Sequence, residues 1–119
     1  MHELALAEAI AGIAERHAQG RPVTRVEVAV GRLRQVVPDA LSFGFELVTA
    51  GTALDGAELV LEEVPVRVAC GACDTRTEPD RFPFACDECG SLDVEVTDGQ
   101  QLQVVALELE DEPVGAVRR

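Results

Sequence analysis

The chain has 119 residues, of which 47% are hydrophobic, so it can bury one core in a single domain with a small annex. Its formal net charge is −12, and all ten of its basic residues are arginine. This acidic balance argues against nucleic-acid binding, which needs a basic surface, and favours cations and basic partner proteins. Because no run of 18 uncharged apolar residues occurs, no membrane insertion is predicted, and we expect a cytoplasmic protein.

The first half of the chain predicts a helix, a strand and a second helix. Residues 3–18 carry apolar side chains at helical spacing, and the glycine and proline that follow end the helix. Its predicted inner stripe consists of four residues: Leu6, Ile10, Ile13 and His17. Residues 24–30 alternate strictly between valine and other residue types, which is typical of a half-buried strand. Residues 38–50 begin with Pro and Asp and show a second helical pattern, which Gly44 weakens.

The second half predicts two more strands with a cysteine-containing segment between them. Residues 57–69 form the first of these strands, and the parity of its apolar residues shifts near Glu62–Glu63, as at a β-bulge. Residues 101–110 form the second, with a similar slip at Val104–Val105. These patterns predict an α+β fold in two layers, in which a three-stranded sheet carries both helices on one face. The cysteine segment, residues 69–97, would then be an inserted, zinc-ribbon-like annex.

Four cysteines form two C-x-x-C pairs that are separated by twelve residues. They are Cys70, Cys73, Cys86 and Cys89. This spacing indicates a four-thiolate zinc site, and a cytoplasmic chain uses cysteines for metals more often than for disulfides. Gly71 and Gly90 are expected to form the tight turns of the two pairs. Because four thiolates leave no open position for water, we interpret the predicted Zn(II) as structural.

Signals for catalysis are missing from the sequence. Without lysine, the chain cannot contain the phosphate-binding loop of nucleotide hydrolases. No combination of Ser, His and an acidic residue suggests a nucleophilic triad. We therefore predict that the protein is not an enzyme.

The first three residues, Met1, His2 and Glu3, form a potential chelate. The terminal amine, the His2 backbone nitrogen and the His2 imidazole can close two adjoining rings around one ion. The fourth in-plane donor could be either the Glu3 backbone nitrogen or the Glu3 carboxylate. A square plane of nitrogen donors suits Ni(II) or Cu(II). Because His2 is bulky, we expect the initiator methionine to be retained.

Three features together resemble a known family. The chain starts with MHE, has an α/β body and carries C-x2-C-x12-C-x2-C late in its length. In this combination it is similar to the HypA/HybF family of nickel-insertion accessory proteins. The stretch VGRLRQVVPDALSFGFELVTAGT also resembles the region from the first strand to the second helix in that family. Ala5 is a small departure, because many relatives carry serine there.

The resemblance implies a metallochaperone for the maturation of [NiFe] hydrogenase. It implies that His2, with Met1 and Glu3, binds Ni(II) as cargo, and that the four cysteines hold Zn(II). The implied partners are a HypB-type GTPase and the large subunit of [NiFe] hydrogenase, with urease as the recipient of nickel in some relatives. The implied organisation is a nickel-binding domain of residues 1–68 and 98–112, a zinc-binding domain of residues 69–97 and a flexible tail of residues 113–119.

Two other functions are compatible with the residues alone. One is a zinc-ribbon adaptor or regulator that binds another protein and has no nickel role. The other is a rubredoxin-like electron carrier, in which the same four thiolates hold iron. A redox-active dithiol is a third use of the cysteines, although two equivalent C-x-x-C pairs favour one shared metal.

Overall fold

The computed structural model describes residues 2–110, apart from the side chain of His2. Met1 and the predicted tail of residues 113–119 lie outside the described part, as do residues 111 and 112 of the predicted nickel-binding domain. The elements are α1 (His2–Ala18), β1 (Val23–Gly31), a 3-10 turn (Arg32–Arg34), α2 (Pro38–Thr49), β2 (Glu58–Val64), β3 (Arg67–Cys70), β4 (Arg76–Thr77), β5 (Val94–Asp98) and β6 (Leu102–Leu109). Within residues 2–110, no helix is long and apolar enough to cross a membrane.

The strands form two three-stranded sheets, ordered β2-β1-β6 and β4-β3-β5. The prediction of an α+β fold is confirmed. The chain has the two predicted helices and a sheet built from the three predicted strand regions. The chain divides into two compact units. The first comprises the chain up to Val28, Val37–Leu61 and the chain from Val104, and the second comprises Ala29–Val36 with Glu62–Gln103. The assignment of separate nickel and zinc functions to domains stays a prediction.

The core of the first unit is made mostly of small aliphatic side chains. Helix α1 buries six of them: Leu6, Ala7, Ile10, Ala11, Ala14 and Ala18. The prediction of an inner stripe through Ile13 and His17 is wrong at its C-terminal end, because Ile13 is half-buried and His17 is exposed. The His17 Nδ1 atom lies 2.9 Å from the Ile13 carbonyl oxygen, one turn back along the helix. The buried face is centred on alanines, which allow a neighbouring helix to approach closely.

Gly44 lies where α2 packs against α1. A Cβ atom at this position would lie 3.5 Å from the Ala7 Cβ and 3.6 Å from the Leu4 Cα. These are ordinary van der Waals distances, so the glycine leaves little unused space between the helices. Glycine lowers the helix propensity at this position, and its role in packing against α1 becomes visible only in the structure.

Hydrogen bonds at the strand ends set the directions in the first sheet. The Glu110 N–H donates to Pro22 O and the Gly31 N–H to Gln101 O, so β1 and β6 run antiparallel. The Val23 N–H donates to Ala53 O just before β2, and an ion pair of 3.8 Å joins Arg32, just after β1, to the Glu63 carboxylate near the end of β2. Strands β1 and β2 are therefore parallel, with α2 as the crossover that a parallel pair requires.

The predicted strand of residues 57–69 is wrong as a single element. It consists of β2 and β3, which belong to different sheets, and Pro65 lies between them. Proline has no N–H to donate to a ladder, so a strand readily ends beside it. The shift in the alternation of apolar residues near Glu62–Glu63, which suggested a bulge, thus lies just before the chain passes from one sheet to the other. In β6 the alternation of burial restarts between Val105 and Ala106, one residue beyond the predicted slip.

Two glycines should respond differently to the same substitution. At Gly31 a Cβ would overlap the backbone carbonyl of Gly99, whereas at Gly44 it would meet ordinary contacts. We expect Gly31→Ala to lower the free energy of unfolding by about 1–3 kcal/mol, because backbone must move. We expect Gly44→Ala to be neutral or to raise it by about 0.5–1 kcal/mol through better helix propensity. Urea denaturation followed by circular dichroism measures both; equal effects would contradict the packing described.

Candidate metal centre and the N-terminal residues

The structure brings the four predicted cysteines into one cluster in the second unit. Their sulfur atoms all lie within 4.8 Å of one another. The closest contacts cross between the two C-x-x-C pairs: the Sγ distance from Cys70 to Cys89 is 3.7 Å, and that from Cys73 to Cys86 is 3.6 Å. In a tetrahedral zinc site with Zn–S bonds of about 2.3 Å, sulfurs are roughly 3.8 Å apart. The four cysteines are therefore positioned to bind zinc.

The first pair is a turn that begins at the end of β3. Cys70 is opposite Val94 of β5, so the sheet fixes its backbone. The N–H groups of Ala72 and Cys73 point to the Cys70 sulfur, at 3.2 and 3.4 Å. Such N–H donors stabilise the negative charge of a thiolate, which is the form that binds metal.

The expected roles of the two glycines differ in the structure. Gly90 has φ of 78° and donates its N–H to Cys86 O at 2.8 Å, so it makes the turn as predicted. In the first pair the residue with positive φ is Asp74, at 63°, and not Gly71. A Cβ at Gly71 would lie 2.6 Å from a carboxylate oxygen of Asp93, so a larger residue there would require this exposed side chain to move.

Each pair buries its first cysteine and exposes its second. Cys70 and Cys86 retain 4% and 2% of their accessible surface, whereas Cys73 and Cys89 are exposed. Beside Cys73, the hydroxyl and backbone N–H of Thr75 lower the pKa of the thiol to about 7. For Cys89, hydrogen bonding from the Ser91 backbone lowers the pKa, but the neighbouring thiols of Cys70 and Cys73 outweigh it and raise the pKa to about 12. Four thiolates this close repel one another, so full ionisation requires a cation among them.

At the N-terminus, the structure places Glu3 but not the complete predicted donor set. Met1 and the His2 side chain lie outside the described residues, and His2 is the first residue of α1. The carboxylate of Glu3 accepts a hydrogen bond of 3.1 Å from the Val37 N–H. Val37 is the N-cap residue of α2, and its own side chain offers no oxygen for capping. A carboxylate is electrostatically favourable at this end of a helix.

Sequence reasoning missed two features. The contact of Glu3 with Val37 joins residues 34 positions apart, and no local pattern reveals it. The contact of the Thr75 hydroxyl with Cys73 was also missed, although Thr75 lies only two residues after this candidate ligand in the sequence.

Comparison with known proteins identifies the family. The model of the HypA family, described as "Hydrogenase/urease nickel incorporation, metallochaperone, hypA", matches residues 1–109. The chain belongs to the HypA family. HypA proteins are metallochaperones and maturation factors, so the prediction that the chain is not an enzyme is confirmed by its family.

Individual HypA relatives agree along nearly the whole chain. The hydrogenase maturation factor HypA of Roseiflexus sp. is 45% identical over 116 residues, covering 94% of both chains. The HypA of Geobacter sulfurreducens is 39% identical and covers 92% of this chain and all of its own. The solution structure of the Ni metallochaperone HypA from Helicobacter pylori shares the fold, with a TM-score of 0.68, 23% identity and coverage of 92% and 97% of the two chains.

Thr75 should control the pH at which the cluster loses its metal. Protons compete with metal for thiolates, and the contact of Thr75 with Cys73 favours the thiolate. We expect Thr75→Val to raise the pKa of Cys73, so that acidification releases metal at a higher pH than in the unmodified chain. A colorimetric chelator added to the zinc-loaded protein across a pH series measures the midpoint. Thr97→Val, a matched change in β5, should leave the midpoint pH of metal release unchanged. Equal midpoints for the unmodified chain and both variants would refute a role for Thr75.

Proposed function

We propose that this chain is a nickel metallochaperone for the maturation of [NiFe] hydrogenase. It binds Ni(II) at its N-terminus and delivers the ion to the large subunit of the hydrogenase, together with a HypB-type GTPase. The observation that carries this proposal is the match of the HypA family model to residues 1–109, which include the MHE start. We place this activity in the cytoplasm, where the enzyme's subunits are assembled. Delivery to urease is an alternative that the description of the family includes.

The proposed nickel site uses the Met1 amine and the backbone nitrogen and imidazole of His2. The Glu3 carboxylate already accepts a hydrogen bond from the Val37 N–H. This favours the backbone nitrogen of Glu3, and not its carboxylate, as the fourth in-plane ligand. The first N–H groups of a helix have no partner within the helix, so binding through them breaks no helical hydrogen bond. Nickel at the chain end is open to ligand exchange, which suits an ion that must be handed over. Affinity falls below about pH 6, where the imidazole and amine take up protons.

The proposed partner GTPase supplies chemistry that this chain lacks. The sequence has no lysine and hence no phosphate-binding loop. Nucleotide hydrolysis in the delivery step must then come from another protein. A division between one protein that holds the nickel and one that times its transfer is consistent with both the small size and the acidic charge of this chain.

Zinc is proposed as the resident metal of the cluster of Cys70, Cys73, Cys86 and Cys89. The sulfur distances fit a tetrahedral site, and four thiolates leave no position for a substrate or water. The role is therefore structural. We assign residues 69–97 as the zinc-binding domain and residues 1–68 with 98–112 as the nickel-binding domain.

Extending the chain by one glycine ahead of Met1 should abolish tight nickel binding, because the amine is then displaced from the chelate. His2→Ala should do the same. Both losses should exceed the roughly 10–100-fold change that removal of an outer contact causes. Calorimetric titration of Ni(II) into the untagged protein measures the affinity, while the zinc content should remain one per chain.

The matched control for this experiment is Glu3→Gln. Glutamine keeps an oxygen that can accept the Val37 hydrogen bond, and it keeps the backbone nitrogen. Its nickel affinity should stay within a few-fold of the unmodified chain. A loss as large as that of His2→Ala would show that the carboxylate itself binds nickel. Normal binding in the glycine-extended protein would rule out the terminal chelate altogether.

Replacing one cysteine should remove zinc without affecting the binding of nickel. We expect Cys73→Ala to lose its zinc and to speed amide exchange across residues 69–97, because few apolar side chains stabilise this segment. The first unit should keep its helical circular dichroism and its nickel affinity. Asp87→Ala, which lies between two of the ligands and is exposed, should retain zinc. Global unfolding of Cys73→Ala would contradict a purely local role, and a red protein with bound iron would contradict zinc.

A further inference from the structure

Helix α2 leaves a row of apolar side chains uncovered. Phe43 and Leu47 are 62% and 58% exposed, and they are one helical turn apart. Ala40, three residues before Phe43, is exposed on the same side. These three residues and Leu4 of α1 are called the apolar patch below. Single exposed apolar residues are common on protein surfaces, but adjacent large ones indicate an interaction surface.

The patch continues from α2 onto α1. Leu4 is 38% exposed, and its Cδ1 would lie 3.6 Å from a Cβ placed on Gly44, which is the residue next to Phe43. The side chain of Leu4 therefore covers the small residue between the two helices and extends the apolar surface across them. The result is one continuous area on the first unit.

The patch is additional to the face that α2 needs for folding. That face is already formed by Leu41, Gly44, Phe45 and Thr49, all of which are buried. A helix that is apolar on its inner side and also along an outer row has a second surface to cover. Within the described part of the chain nothing in the first unit covers Phe43 or Leu47, since both remain more than half exposed.

Acidic residues border the patch on both sides. Asp39 and Glu46 lie beside it on α2, and Glu8 lies one turn after Leu4 on α1. All three are exposed. Neither lysine nor arginine occurs in residues 1–15 or in residues 35–66, so no basic side chain of either helix segment neutralises this border. A partner with complementary chemistry has an apolar stripe flanked by basic residues.

We propose that the apolar patch is the docking surface for a basic amphipathic helix of the partner GTPase. This inference rests on the proposed function, and it adds the surface and the chemistry of the recognised segment. An amphipathic helix places apolar residues at matching i, i+3 and i+7 positions while lysines or arginines on its flanks reach Asp39, Glu46 and Glu8. A second copy of this chain fits poorly, because a symmetric contact would set acidic borders against each other.

The location of the patch gives docking a consequence for nickel. Leu4 directly follows the proposed nickel-binding residues, and Glu3 is hydrogen-bonded to Val37 at the start of α2. A helix bound to the patch therefore lies next to the segment that holds the ion. Delivery then needs no long-range signal, because the partner contacts the residue adjoining the chelate.

The test is the affinity of purified HypB-type GTPase from the same organism for the unmodified chain and for three variants of it. We expect the double change Phe43→Glu and Leu47→Glu to weaken binding at least tenfold, and Glu46→Lys to weaken it several-fold with a reduced dependence on salt. Leu92→Glu changes another exposed leucine, 68% exposed in the second unit, and should bind as the unmodified chain does. Melting temperature, zinc content and Ni(II) affinity should stay unchanged in all variants, since the altered side chains are exposed and outside both metal sites.

Unchanged GTPase binding by the double variant would overturn the docking inference and leave the proposed nickel function intact. A dimer of the unmodified chain that the double change converts to monomer, with GTPase binding unaffected, would assign the patch to self-association and would also overturn it. No binding of GTPase by the unmodified chain would remove the partner assignment and the docking inference together. The nickel titrations of the glycine-extended protein decide separately whether the chain binds the ion at its N-terminus.

Discussion

Mutual repulsion among four thiolates is the constraint on which the second unit depends. Its strands are short, β4 having only two residues, and two of its large apolar side chains, Phe82 and Leu92, are 81% and 68% exposed. Such a small unit cannot be stabilised by hydrophobic burial alone and requires a covalent or metal link. The cluster supplies that link only if a cation balances the charge, because its sulfurs lie within 4.8 Å of one another. A metal bound at this cluster would therefore stabilise the folded form of the segment directly.

The first unit meets the same lack of large side chains in a different way. With no Trp and no Tyr, its core depends on close packing of alanine, valine, leucine and isoleucine around one buried phenylalanine, Phe45. Gly44 and the alanine face of α1 allow the two helices to approach until ordinary contact distances are reached. The two units therefore solve one problem by separate means, the first by close packing of small residues and the second by sulfur ligands.

Features set by short-range patterns were predictable from the sequence. The helices, the central strand with buried Val26, Val28 and Val30, and the meeting of the four cysteines all follow from periodicity and spacing. The single strand of residues 57–69 failed because both sides of Pro65 have strand-like composition, and pairing partners decide which sheet each side joins. The hydrogen bond between Glu3 and Val37 depends on how the two helices cross, and local sequence patterns do not reveal this crossing. The exposure of Phe43 was hidden for the same reason: sequence shows that a helix has apolar residues on two sides but not which side is covered.

The alternation of burial within the cysteine pairs has a kinetic consequence. Any thiol or chelator that competes for the bound metal meets Cys73 and Cys89 first, because Cys70 and Cys86 are almost completely covered. The two accessible sulfurs belong to different turns, as do the two covered ones. Replacement of the outer ligands of a bound ion would therefore leave each turn attached through its inner cysteine. The ion would then exchange in steps from the solvent side, and access to Cys70 and Cys86 would set its lifetime.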